Sequence, residues 1–113
     1  MKSIRICAYL ISAALTFASC AGSIPMPDLS HAERASHKWY GTTLHDLTAG
    51  RQLYIQKCSG CHGLKAPARL SAQQWEGILA EMKTKAGVKD DEEKMIMKYL
   101  VTISEMDNED GKR

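Results

Sequence analysis

Cysteine is scarce in this chain, with four among 113 residues. Cys7 lies within an N-terminal apolar stretch and Cys20 at its end, so only Cys58 and Cys61 remain beyond it, too few for a disulfide framework. No stretch alternates apolar and polar residues at strand period, and no internal repeat recurs, which leaves helices as the building material. A dense Lys/Arg patch with interleaved aromatics is also lacking, and that removes nucleic acid from the partners to consider. The apolar run Ile6 to Phe17 falls short of the about 20 residues that span a bilayer. The length allows one small domain.

The N-terminus carries an export pattern. Lys2 and Arg5 precede the apolar run, and Ala18, Ser19 and Cys20 close it in the order of a charged region, an apolar region and a cleavage zone. Residues 1–19 are therefore expected to be a signal peptide and the mature chain to begin near residue 20, with an uncleaved anchor as the alternative; either puts the rest of the chain outside the cytoplasm. Phe17-Ala18-Ser19-Cys20 resembles the lipobox of bacterial lipoproteins, with Phe17 where Leu is usual, which implies that Cys20 is lipidated and anchors the protein to a membrane on its periplasmic face. Plain secretion, with Cys20 left in a discarded peptide, is the alternative. The signal holds Lys2 and Arg5 and no acid, so its loss brings Lys+Arg from 15 to 13 against 13 Asp+Glu, a formal charge of zero. Partner recognition then depends on local patches.

Residues 20–44, with Gly22, Pro25, Pro27 and Gly41 among scattered apolar residues, read as a linker or a segment draped over a domain that spans 45–106. Trp39 and Tyr40 within it are expected to pack on that domain's flank. Asp46 or Thr48 caps a first predicted helix running to about Gln56, with Leu47, Gly50, Leu53 and Tyr54 spaced for one face. Gly50 costs that helix about 1 kcal/mol relative to Ala, which points to another backbone passing close by. Ser71 with Gln74 is a capping-box pattern, and Trp75, Ile78, Leu79 and Met82 then form an apolar stripe. Gly87 ends that helix or punctuates the connection after it. Asp90 with Glu93 repeats the capping logic for a last helix, whose apolar face is Ile96, Tyr99, Leu100 and Ile103. The segment 107–113 reads as a charged, frayed tail.

Cys58-Ser59-Gly60-Cys61-His62 is the C-x-x-C-H signature of covalent haem attachment. Two thiols separated by two small residues reach the vinyl-derived arms along one porphyrin edge, and the next residue places an imidazole under the iron. A thioredoxin-like redox pair shares the C-x-x-C spacing but needs a βαβ setting that this chain lacks. A zinc site needs four ligands, and no second cysteine pair supplies them. The predicted helices span only about 60 residues, where a staple is commonly needed, so the haem-free protein is expected to be largely unfolded.

With these residues in view, the stretch of about 45–104 resembles the class I c-type cytochromes. The match comprises Gly50 and Tyr54 ahead of the attachment motif, Pro67, a Trp75-led helix with Met82, and a closing helix with Tyr99-Leu100. The resemblance implies an all-α fold of about three main helices around one covalently bound haem c, with Gly50 and Tyr54 of the first helix meeting Tyr99 and Leu100 of the last. It implies His62 as axial ligand and Met82 as sixth ligand, and a Pro67 carbonyl that receives the His62 ring N–H, although Pro67 follows His62 more closely than in longer members. Met82 as a plain core residue is the alternative for that position, and His31, His37 and His45 are the candidates for bis-His ligation. The function implied is an exported electron carrier, and no enzyme, passing single electrons between a redox donor and a redox acceptor protein, with no small-molecule substrate. Two rivals stand beside it: a haem enzyme or gas sensor with an open iron position, and a haem subunit of a larger oxidoreductase docked through Trp39 and Tyr40. Lys65, Arg69, Lys83 and Lys85 are candidates for a basic docking rim.

Overall fold

The computed structural model describes residues 24–60 and 63–112, and within them the chain forms helices and no strand. The readings of residues 1–19, Cys20, Cys61 and His62 lie outside the described residues. Helix starts are set by short polar side chains that take up N–H groups of the first turn. Asp28 does so for α1 (Leu29–Lys38), Thr43 for α2 (Leu44–Cys58) and Ser71 for α3 (Ala72–Ala86). Before α4 (Asp90–Asp110) the Glu92 carboxylate reaches back to the Lys89 N–H at 3.0 Å. The predicted capping box at Ser71 and Gln74 is present, and Gly87 stops α3 in the left-handed conformation at φ 64°. The other two starts differ by a few residues. Asp46 is the returning partner of Thr43 rather than the cap, and α4 begins at Asp90 with Lys89 before it.

α1 lies inside the stretch that reads as a linker. Its apolar content is too low to announce a helix, but Asp28 and His31 close a capping box, and the small Ala35 lets the helix seat on α4 with that residue wholly buried. Arg34 pairs with Glu109, and Lys38 with Glu105 at 3.1 Å, so α1 also holds the end of α4. The segment expected to fray is therefore helical to Asp110. Trp39 packs against the core, whereas Tyr40 is fully exposed. Ahead of α1 the chain is sewn down by its carbonyls. The Arg51 guanidinium donates to the Ile24 and Pro25 oxygens at 3.0–3.1 Å, and the Tyr99 hydroxyl donates to Pro25 at 2.6 Å.

The core is built on the crossing of α2 and α4. Gly50 is buried there, and a Cβ at that position would stand 2.1 Å from the Met95 carbonyl oxygen and 3.0 Å from Tyr99 Cβ. Only a residue without a side chain admits this approach. Leu47, Ile96, Tyr99, Leu100 and Ile103 are sealed around it, and the Tyr54 and Tyr99 rings lie 6.5 Å apart. α3 covers one end of the crossing with Trp75 and Leu79, and a 3₁₀ turn, Pro67–Arg69, leads into it.

Candidate functional site

Cys58 is the last residue of α2, placed by a helix whose middle is locked at the α4 crossing. It opens onto a cleft of about 230 Å³ lined by Tyr54, Lys57, Cys58, Gly63, Leu64, Lys65, Trp75, Ile78, Leu79, Glu81, Met82 and Ala86. α2 supplies one side, the segment after the attachment motif a second, and the stripe of α3 the third. The lining is largely apolar, and its polar groups stand at Lys57, Lys65 and Glu81. Burial pushes the Cys58 thiol above its ordinary value.

Two buried aromatics organise the segment that leaves the motif. The Tyr54 hydroxyl donates to the Lys65 carbonyl at 2.7 Å and accepts from the Lys65 N–H at 3.1 Å. Its loss of solvent raises its ionisation to about 12. The Trp75 indole N–H donates to the Pro67 carbonyl at 2.8 Å, and the Tyr54 and Trp75 rings meet edge to face with centroids 5.8 Å apart. The sequence offers Tyr54 and Trp75 as packing residues only; that the family-like aromatic of α2 is Tyr rather than Phe is the one signal of the added hydroxyl contact.

Of the residues singled out from sequence, Cys58 and Met82 share the cleft lining, while Pro67 is buried beside it with its carbonyl accepting from Trp75. Met82 differs in this from Met26, which is exposed, and from Met97, which packs on the core. None of His31, His37 and His45 lines the cleft. His31 is held by Asp28 in the cap of α1, and His45 precedes Cys58 by thirteen residues on one helix, about 20 Å of rise. The basic rim is thinner than the sequence count. Lys83 pairs with Asp90 and Glu93, and Lys85 with Glu81, leaving Lys65 and Arg69 exposed without such a partner among the described residues. A thiol at the lip of an apolar cleft, a thioether in the same lining and an aromatic floor fit a covalently attached porphyrin, whose faces need apolar cover and whose iron accepts sulfur and imidazole ligands.

The family model described as dihaem cytochrome c matches residues 54–113, from the aromatic of α2 through the attachment motif and α3 to the end of the chain. The c-type cytochrome protein TorY of Haemophilus influenzae is 37% identical over 59 residues, 52% of this chain and 16% of that protein. The chain thus spans under a fifth of the length of this curated relative. No solved structure matches.

Proposed function

The chain belongs to the dihaem cytochrome c family, and from that premise we propose that it is an exported one-electron carrier with a single haem c. Cys58 and Cys61 would hold the porphyrin through thioethers, with His62 and Met82 as the axial ligands. The bound group supplies reversible one-electron exchange between ferric and ferrous iron. The protein's own residues bind it, cover it and shape its surroundings. The observation that carries the reading is that Cys58 of the C-x-x-C-H motif and Met82 of α3 line one apolar cleft. Ligation by the Met82 thioether would suit a high-potential carrier, and with His62 and Met82 both holding the iron no small molecule would reach it. The one C-x-x-C-H motif of this sequence supports one haem per chain, although the family's name speaks of two. Lipidation at Cys20 would keep the carrier on the periplasmic face of a membrane, between membrane-bound or periplasmic redox proteins. That its matched relative is a much longer c-type cytochrome favours, as a second reading, service as the haem-bearing part of a larger redox assembly.

The test is expression in a host with haem-attachment machinery, followed by haem-to-protein stoichiometry and optical redox titration. One haem per chain, a reversible one-electron wave and a weak red sulfur-to-iron band lost in Met82→Ala are expected. Two haems per chain would remove the monohaem reading. High-spin ferric iron in the wild type would favour an open iron position and an enzyme or sensor. Membrane association abolished by Cys20→Ala checks the anchor, and a stable partner retained through purification would support the larger assembly.

A further inference from the structure

We infer that Tyr54 and Trp75 are positioning residues that set the reduction potential of the bound haem by fixing the backbone wall 63–67 of its cleft. The inference rests on the haem reading above. Gly63, Leu64 and Lys65 line the cleft, yet they belong to no helix and are mostly exposed. Among the described residues, the hydrogen bonds that tie 63–67 to the helices are the two at Lys65 and the one at Pro67. The Tyr54 hydroxyl fills both backbone positions of Lys65 from α2, the helix that carries Cys58. The Trp75 indole takes Pro67 from α3, the helix that carries Met82. Each ring is at least nine-tenths buried, Tyr54 at 4% and Trp75 at 3% exposure, and each supports the other edge to face. The wall is thereby strung between the helix that carries Cys58, which would attach the porphyrin, and the helix that carries Met82, and it is held at Lys65 and Pro67.

The electrostatic consequence has a definite sign. Ferric haem carries one more positive charge than ferrous haem with the same ligands, so water at its edge favours the ferric form, and a dry cleft favours the ferrous. A phenylalanine at 54 would keep the ring packing and lose both bonds to Lys65. The wall would then open more often and admit water, which lowers the potential. Neither residue touches iron; both act through the segment they hold.

The experiment compares the holoprotein with Tyr54→Phe, Trp75→Phe and Asp28→Ala, the last removing the cap of α1, a helix that contributes no residue to the cleft. At an ambient potential held at the wild-type midpoint, the ferrous-to-ferric ratio is expected to fall about three- to tenfold in Tyr54→Phe, tenfold being about 59 mV for one electron. Amide exchange at Leu64 and Lys65 should quicken at least about tenfold, with the red sulfur-to-iron band kept. Asp28→Ala should lose stability with its ratio unchanged. If Tyr54→Phe melts lower but holds the wild-type ratio, or if Asp28→Ala shifts the ratio equally, the positioning role is overturned. Wild-type protein without haem would instead remove the reading beneath it. Tyr54→Phe decides the matter by itself should Trp75→Phe fail to fold.

Discussion

Adding one methyl group at Gly50 should separate the two helices on which the core is built. In Gly50→Ala the new Cβ would meet the Met95 carbonyl oxygen at 2.1 Å and its carbon at 2.8 Å, with Tyr99 Cβ at 3.0 Å. The obstacle is backbone of α4 and cannot rotate away, so α4 must retreat by about 1 Å before the contact becomes one that real Cβ atoms make. Overpacking of this kind costs about 1–3 kcal/mol, and the absence of a flexible neighbour places Gly50 at the upper end. Ala returns about 1 kcal/mol of helix propensity, leaving a net loss of about 2 kcal/mol, or about 10 °C in Tm for a domain of this size. Gly77 is the internal control. It is exposed in the middle of α3, and a Cβ there meets nothing within 4 Å, so Gly77→Ala should gain about 0.5–1 kcal/mol. Denaturant unfolding of both holoprotein variants, followed by helical ellipticity, reads the opposite signs directly. If Gly50→Ala is as stable as wild type, the close crossing of α2 and α4 is refuted.

Alkaline pH should weaken the fold in a window set by its buried phenols. Unfolded tyrosines ionise near the ordinary 10, whereas burial raises Tyr54 to about 12 and Tyr99 higher still, so their stabilisation is complete below 10 and drains as pH climbs through 12. Denaturant midpoints between pH 9 and 12 check this, and a flat profile would contradict the burial. Arg51→Ala should cost about 1–2 kcal/mol and expose residues 24–38 to proteolysis, because it removes the charged donor that holds the Ile24 and Pro25 carbonyls; an unchanged cleavage pattern would show that the segment is held by other means.

The legibility of this chain tracks the strength of its local signals. Trp75, Ile78, Leu79 and Met82 show helix period beneath an unambiguous Ser71 cap, and α3 lies where that pattern predicts. Gly50 is costly in a helix and so announces a close neighbour, which the Met95 carbonyl turns out to be. α1 is silent in the sequence because a helix seated by one buried alanine and two ion pairs needs no apolar stripe; its stability comes from α4, which no local window contains. The α4 end misleads for the same reason, since Glu105 and Glu109 look like a solvated tail until Lys38 and Arg34 stand opposite them. At the site, the cysteine spacing points to the c-type cytochromes, the family that the chain matches. The bonds from Tyr54 to Lys65 and from Trp75 to Pro67 join side chain to backbone, a relation that side-chain pattern does not encode.

The core has a side closed by protein and a side that faces the cleft, and this changes what should happen without haem. On one side, Ala35, Leu47, Ile96, Tyr99, Leu100 and Ile103 are closed off by protein alone, at 0% exposure. On the other, Leu64, Ile78 and Met82 are only half-buried where they line the cleft. Completing the burial of three such side chains contributes about half of 1.5–3 kcal/mol each, together about 3 kcal/mol, a large part of the 5 kcal/mol or so that holds a small domain. The expectation of a largely unfolded apoprotein rests on a core of only about 60 residues, a size at which cores are marginal; α1 and the segment sewn to Arg51 and Tyr99 enlarge the half that needs no haem. Haem-free Cys58→Ala/Cys61→Ala protein should therefore lose amide protection in α3 and 63–70 while α4 and the first turns of α2 keep a measurable part of theirs. Equal protection of α3 and α4 would mean that the haem contributes nothing to the cleft side, and protection lost everywhere would mean that the crossing at Gly50 cannot stand without it.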